Sequence, residues 1–193
     1  MVVMEKKAFF KRLSGHFTTI TRHKLLVTFS CIKCGLYKQG LLHDLSKYSP
    51  TEFFAGVKYY QGYRSPIDAE KEDKGYSLGW LHHKGRNRHH WEYWLDKKPG
   101  KKEVYCLDMP LNYVIEACID KISASKIYNG DNYKDDAAYE FLMKGADRYC
   151  MHEHTFQRFE YLLGYLKDHG ETKAFRYYKE LYHQWKKDKN FDI

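Results

Sequence analysis

The chain has 193 residues, of which 43% are hydrophobic and 30% are charged, so composition excludes a disordered chain and allows one sizeable core. Its length favours one domain spanning residues 1–193. No stretch approaches the roughly 18 apolar residues of a membrane span, and the start is too short for a signal peptide. We therefore expect a cytoplasmic protein without a membrane partner.

The charge and the cysteines narrow the partners and the compartment. A formal net charge of +8 favours anionic partners, either nucleotides or nucleic acid. Five cysteines in a chain without an export signal favour reduced thiols. Cys31 and Cys34 have the spacing of a zinc or redox pair, but no second pair follows, so we interpret them as packing residues on a helix.

The first elements are predicted to be helical. Apolar residues at mostly three-, four- and seven-residue intervals predict an amphipathic helix over about 17–37, and this helix carries His23. A turn then leads into a short helix that carries His43 and Asp44.

Two helix starts follow. Ser49, with a proline after it and a glutamate three residues on, predicts a capping box and a helix that ends at Gly62. A similar signal predicts a second helix over about 65–83, which Gly85 ends. The segment 84–88 is then a polar loop between two histidine pairs.

The remaining chain is also predicted to be helical. A short helix covers 91–94, and Pro110 opens a longer one that ends near Asn129 and has Asp120 in its middle. Three further helices are predicted at about 135–144, 148–168 and 171–188. Because no alternating strand pattern occurs, the predicted fold class is all-α, a compact helical bundle.

Asp120 borders the apolar stripe of its helix. A buried aspartate costs free energy unless it is paired or coordinated, and a metal ion would meet that requirement. The alternative is that helix rotation leaves Asp120 at the solvent boundary, where it pairs with Lys121 or Lys126.

Metal-ligand residue types recur in a recognisable order. His23 comes first, then the doublet His43-Asp44, then a cluster of four histidines within 82–90, and finally Asp120. A His-Asp pair alone is a weak signal, whereas the ordered set is much less likely by chance. Imidazole and carboxylate ligands suit divalent Fe, Mn, Zn, Co or Ni, one ion or two.

This order resembles the HD superfamily of metal-dependent phosphohydrolases, which are all-helical. The resemblance implies an HD-domain-like bundle whose first metal is held by His23, His43, Asp44 and Asp120. Lys47 extends the likeness, because several branches of the superfamily read His-Asp-x-x-Lys. We expect Asp44, Asp120 and Lys47 to be the catalytic residues.

The clustered histidines resemble the later ligands of two-metal branches. Neighbours on a helix differ by about 100°, so His82 and His83 cannot both face the core. We predict His83 and His90 as ligands, with His82 and His89 as substitutes. The two carboxylate oxygens of Asp44 could bridge two ions.

A closer resemblance covers most of the chain. The segments HDLSKYSPTEF at 43–53 and HHKGRNRHHWEYW at 82–94 are similar to a family of uncharacterised bacterial and phage proteins. Such a family supplies no reaction, so the chemistry rests on the HD likeness and the residues.

Cations flank the predicted ligands. Lys84, Arg86 and Arg88 lie between candidate histidines, and we predict that they bind the substrate's phosphate. A solvated basic loop would have the same sequence.

We therefore predict an enzyme, a metal-dependent phosphohydrolase or phosphodiesterase that uses metal-activated water on a nucleotide or cyclic nucleotide. Two alternatives stay open. A His-rich two-metal version of the scaffold also resembles inositol oxygenase, a di-iron oxygenase. A non-catalytic basic module could instead bind nucleic acid or an anionic nucleotide messenger.

Overall fold

The computed structural model describes residues 2–193, with side chains from residue 6 onward. Within this range the chain is mostly helical, so the predicted all-α class is confirmed. Among the described residues, no helix is long and apolar enough to cross a membrane. The α-helices are α1 (Val2–Lys33), α2 (Tyr37–Leu42), α3 (Pro50–Tyr59), α4 (Pro66–Lys74), α5 (Leu78–Lys84), α6 (Leu111–Asn129), α7 (Ala137–Lys144), α8 (Glu153–His169) and α9 (Glu171–Lys187).

The start of the chain differs from the prediction in two ways. α1 begins about 15 residues earlier than predicted, and it ends before Gly35, whose φ of +81° breaks the helix. α2 ends at Leu42, so His43 and Asp44 lie in the turn between α2 and a 3₁₀ turn at Leu45–Tyr48. The doublet is therefore held by a turn and not by a helix.

The helix start at Ser49 is confirmed, because its side chain accepts a hydrogen bond from the Glu52 backbone N–H at 3.5 Å. The second predicted helix is instead divided into α4 and α5. Gly75 ends α4 with a φ of +78°, and the Ser77 hydroxyl caps α5 by accepting from the Trp80 backbone N–H at 2.9 Å.

A short hairpin follows the histidine cluster and was not predicted. It consists of the antiparallel strands β1 (Leu95–Lys97) and β2 (Val104–Cys106), in which Leu95 pairs with Cys106. Strands of three residues are too short to show an alternating pattern. The hairpin connects the 3₁₀ turn at Trp91–Trp94 to the segment before α6.

α6 lies at the centre of the fold. It packs against α1, α7, α8 and α9, and its apolar stripe, including Ile115 and Ile119, is buried in the hydrophobic core. Cys31 and Cys34 are buried in the same core, in agreement with a packing role. Glu116 is also buried on α6, four residues before Asp120, so the two carboxylates lie on one face of the helix.

Candidate metal centre

The first predicted ligand set comes together at one place. α1 contributes a histidine, the turn after α2 contributes the doublet and α6 contributes an aspartate. The Nε2 atom of His23 lies 2.8 Å from Asp120 Oδ1 and 3.9 Å from Asp44 Oδ2. The Nε2 atom of His43 lies 3.3 Å from Asp44 Oδ2 and 3.4 Å from Asp120 Oδ1. These four ligand atoms lie within 4.8 Å of one another, and we call this group the first cluster.

The predicted alternative for Asp120 does not match its surroundings. Lys126 pairs with Glu171, and the ammonium of Lys121 lies over the ring of Phe159, 5.7 Å from its centroid. Asp120 therefore faces histidines and not these lysines.

A second group of ligand atoms surrounds the other oxygen of Asp44. Its Oδ1 atom lies 3.3 Å from His83 Nε2 and 3.4 Å from His89 Nε2, and His90 Nε2 lies 2.9 Å from His83 Nε2. These atoms also lie within 4.8 Å of one another and form the second cluster. It contains the predicted His83 and His90 together with the substitute His89, and Asp44 belongs to both clusters.

His82 and its neighbour His83 contact the same carboxylate, that of Glu52, through different oxygens. The Nδ1 atom of His82 lies 2.5 Å from Glu52 Oε1, while the Nδ1 atom of His83 lies 2.8 Å from Glu52 Oε2. The capping box is thus only half formed, because the Glu52 carboxylate holds these two rings and does not return to the helix start. Asn87 also donates to the backbone carbonyl of His83 at 2.8 Å, which shapes the turn that brings the next histidines back.

Glu116 contacts one histidine of each cluster. Its Oε1 atom lies 3.0 Å from the Nδ1 atom of His43 and 3.2 Å from the Nδ1 atom of His89. Its Oε2 atom accepts a hydrogen bond from Gln39 at 2.8 Å. A carboxylate on the far ring nitrogen fixes the orientation of a ligand histidine. The sequence signal for this role is the four-residue spacing between Glu116 and Asp120.

The buried polar atoms of both clusters fit a divalent cation. Buried atoms without a hydrogen-bond partner include the Nε2 atoms of His43 and His89 and the Oδ1 atom of Asp44. Such atoms are rare in proteins, and each costs about 1–3 kcal/mol. They face one another, so coordination would satisfy all of them, and their nitrogen and oxygen chemistry suits a borderline transition-metal ion.

The backbone at Asp44 has an uncommon conformation. With a φ of +52°, it is the sole non-glycine residue in the described chain that has a positive φ. A left-handed conformation costs an L-residue roughly 1–2 kcal/mol, although aspartate and asparagine tolerate it best. Such strain is concentrated at functional sites, where the surrounding structure holds it in place.

The charges of the centre also favour a cation. Burial raises the pKa of Asp44, but His43 and Lys47 outweigh it and bring the pKa well below its usual range. Burial also raises the pKa of Asp120, and its histidine partners lower it well below normal. Burial of Glu116 is likewise outweighed by its histidines, and its pKa falls to about 2. The carboxylates are thus held ionised.

The predicted phosphate-binding cations lie at the periphery. Arg86 is exposed and donates to the backbone carbonyl of His82 at 3.1 Å. Arg88 is exposed and donates to the hydroxyl of Tyr113 at 3.5 Å. Lys84 is half-buried at the end of α5. Their phosphate role stays a prediction, whereas Lys47 directly contacts a candidate ligand.

We expect Glu116→Gln to weaken metal affinity by about 10–100-fold, because the amide keeps the size of the side chain but removes the charge that orients two ligand histidines. Competition titration with a chromophoric chelator measures this change. Glu92→Gln is the matched control, because Glu92 belongs to neither cluster and lies in the 3₁₀ turn that follows the histidine segment. Equal affinities for wild type and Glu116→Gln would contradict the assigned role.

Comparison with known proteins identifies a family for which no reaction is established. Residues 12–165 match the Family of unknown function (DUF5662), a range that includes every residue of both clusters. Comparison with curated proteins and with solved structures gave no match. Since the match covers most of the 193 residues, the chain belongs to the Family of unknown function (DUF5662).

Proposed function

We propose that the protein is a metal-dependent phosphohydrolase that acts on a phosphate ester of a nucleotide or cyclic nucleotide. The observation that carries the proposal is Asp44, whose two oxygens face two separate histidine clusters. A carboxylate shared in this way suits a two-metal site for phosphate chemistry. The ligand order along the chain, which resembles that of the HD superfamily, supports the same assignment.

Two ions could be held by the residues present. The first cluster consists of His23, His43, Asp44 and Asp120, and the second of Asp44, His83, His89 and His90. When bound, such ions polarise a phosphoryl oxygen and lower the pKa of water, which makes it a nucleophile near neutral pH. The donor set contains no thiolate, so a catalytic role suits it better than a structural zinc site.

Lys47 is the cation best placed to act on a phosphate. Its Nζ atom lies 2.6 Å from Asp44 Oδ2. Burial lowers the pKa of Lys47, but Asp44 and Asp120 outweigh burial and raise it, so the side chain stays charged. An ammonium there stabilises negative charge that develops on the phosphate oxygens.

Asp120 and Glu116 have different tasks in this scheme. The side chain of Asp120 is 17% exposed whereas that of Asp44 is 2% exposed, so Asp120 can accept a hydrogen bond from an attacking water at the edge of the centre. Glu116 is enclosed behind the imidazoles and acts by positioning them.

The test is turnover of a nucleotide panel by metal-loaded protein, with Lys47→Met as the diagnostic variant. Loss of the charge is expected to lower kcat by about 10²–10³-fold, a magnitude typical of losing one group that stabilises transition-state charge. Lys58→Met is the control, because Lys58 is exposed on α3.

The alternatives give different results in the same experiment. A di-iron oxygenase would show oxygen-dependent optical changes and no phosphate release. A non-catalytic module would bind nucleotide or nucleic acid in a salt-sensitive manner that survives mutation of His43 and Asp44. Metal-loaded protein that releases no phosphate from any nucleotide would overturn the proposed function.

A further inference from the structure

A cleft opens beside the metal centre. It is lined by parts of α1, α3, α4, α5 and α6 together with Lys47. Lys47 and Glu52 line the cleft and also contact the metal centre. Lys47 contacts Asp44, and Glu52 holds two histidines of the segment 82–90. A molecule whose phosphate lies at the metal centre would therefore extend past Lys47 into this space, which we call the Lys47 cleft.

The walls of the Lys47 cleft suit an uncharged organic group. Pockets for small ligands are mostly apolar and have a few convergent polar groups. The walls include the apolar side chains of Ile20, Ala55, Pro66 and Ile67. A flat apolar ring can pack against such walls.

The charged groups that line the cleft are already paired. Arg64 makes two hydrogen bonds of 2.7 Å to Glu72. Glu70 accepts from Lys74 at 2.9 Å and from Ser77 at 2.6 Å. The two other charged residues of the lining are Lys47, which pairs with Asp44, and Glu52, which contacts His83. Among the residues with described side chains, the cleft lining therefore has no unpaired cation to receive a second phosphate, and the carboxylate of Glu70 would repel one.

Uncharged polar groups provide the remaining recognition. His16 lines the cleft and is 6% exposed, and its Nδ1 atom is buried without a hydrogen-bond partner. Burial, followed by the charge of Lys47, lowers the pKa of His16 to about 4, so the ring is neutral near pH 7. The hydroxyls of Thr19 and Tyr60 lie 3.0 Å apart on the same wall. Neutral donors and acceptors of this kind suit the hydroxyl groups of a sugar.

We infer that the Lys47 cleft binds the uncharged organic group of a phosphate monoester and excludes groups that carry further phosphates. The inference rests on the proposed phosphate-ester chemistry and deepens it. It selects monophosphates over triphosphates and over nucleic acid as the substrate class.

The test compares esters that share a phosphate but differ in the organic group. The probes are the four ribonucleoside 5′-monophosphates, their triphosphates and methyl phosphate. For wild type, the kcat/KM of at least one monophosphate is expected to exceed that of methyl phosphate by about 100-fold, because binding energy from the remote group lowers the barrier. The corresponding triphosphate should be the poorer substrate. Equal values for the monophosphate and methyl phosphate, or a preference for the triphosphate, would overturn the inference.

Ala55→Phe places a large side chain in the cleft, and Ala55 belongs to neither cluster. The substitution is expected to lower kcat/KM for the preferred monophosphate at least about tenfold, while methyl phosphate turnover stays within about twofold and metal content is unchanged. Gly79→Ala is a milder variant, because a Cβ there would lie 3.5 Å from Ala55 Cβ and 3.6 Å from Glu70 Oε2, which are ordinary contacts. Ala8→Phe is the matched control, since Ala8 is exposed on α1 outside the cleft. A parallel loss for methyl phosphate in Ala55→Phe would contradict a role for the cleft in binding the organic group.

Calorimetric titration separates the inference from the proposed function. If the metal-loaded protein hydrolyses none of the esters, the proposed function fails. Binding of a nucleoside monophosphate that Ala55→Phe abolishes and Ala8→Phe preserves would still support the cleft. Absence of binding for all four monophosphates to the wild-type protein would overturn it.

Discussion

Asp44→Asn is expected to reduce bound metal from about two ions per chain to nearly none, whereas Asp120→Asn is expected to leave about one. The reason is the position of the Asp44 carboxylate, whose Oδ2 atom belongs to the first cluster and whose Oδ1 atom lies among the histidines of the second. An amide keeps the shape but has one oxygen and no charge, so it cannot serve both clusters. Asp120 contacts the first cluster alone. The protein is loaded with metal and then desalted, and plasma emission spectrometry measures the number of ions bound per chain.

The Asp44→Asn variant is chosen so that the backbone keeps its conformation. Asparagine tolerates the left-handed region nearly as well as aspartate, and Asp44 has a φ of +52°. Asp168→Asn is the control, because Asp168 is exposed near the end of α8. Two ions retained in Asp44→Asn, or identical losses in the Asp44 and Asp120 variants, would show that Asp44 is not shared between two sites.

Removal of metal by a chelator is expected to lower the Tm of the wild-type protein by about 8–16 °C. Ligand binding at about 1,000 times Kd stabilises the folded state by about 4 kcal/mol, and each kcal/mol shifts the Tm of a chain of this size by about 2–4 °C. The structural cause is the set of buried ligand atoms that lack hydrogen-bond partners. Differential scanning calorimetry with and without chelator measures the shift.

The Asp44→Asn variant also controls this measurement, because its Tm should not respond to the chelator. Its own Tm is expected to differ from that of metal-free wild type by less than the chelator shift, since it removes one buried charge without creating a cavity. A wild-type protein that contains metal but has the same Tm in chelator would contradict the account of the buried ligand atoms.

The local sequence pattern was sufficient to predict many of the helices and the ligands of the first cluster. The helix start at Ser49 and the long helix after Pro110 follow from capping and periodicity, both of which depend on neighbouring residues alone. His23, His43 and Asp120 could be named because ligand order along the chain is itself a sequence property.

Tertiary contacts determine which histidines form the second cluster. Which histidines of 82–90 point inward depends on the turn that Asn87 shapes and on Glu52, which holds both His82 and His83. Capping alone assigned Glu52 to the helix start, because a partner 30 residues away does not appear in a local motif. His89 was accordingly only a substitute in the prediction, although its Nε2 atom faces Asp44.

The sequence by itself determined a mostly helical chain with a histidine and aspartate order typical of a metal site. Only the tertiary structure decided that Asp44 lies in a turn between two clusters, that Glu116 positions a histidine of each, and that a cleft opens beside Lys47. The physical reason is that helix periodicity and caps are short-range properties. The direction of a buried side chain depends instead on how distant helices pack around it.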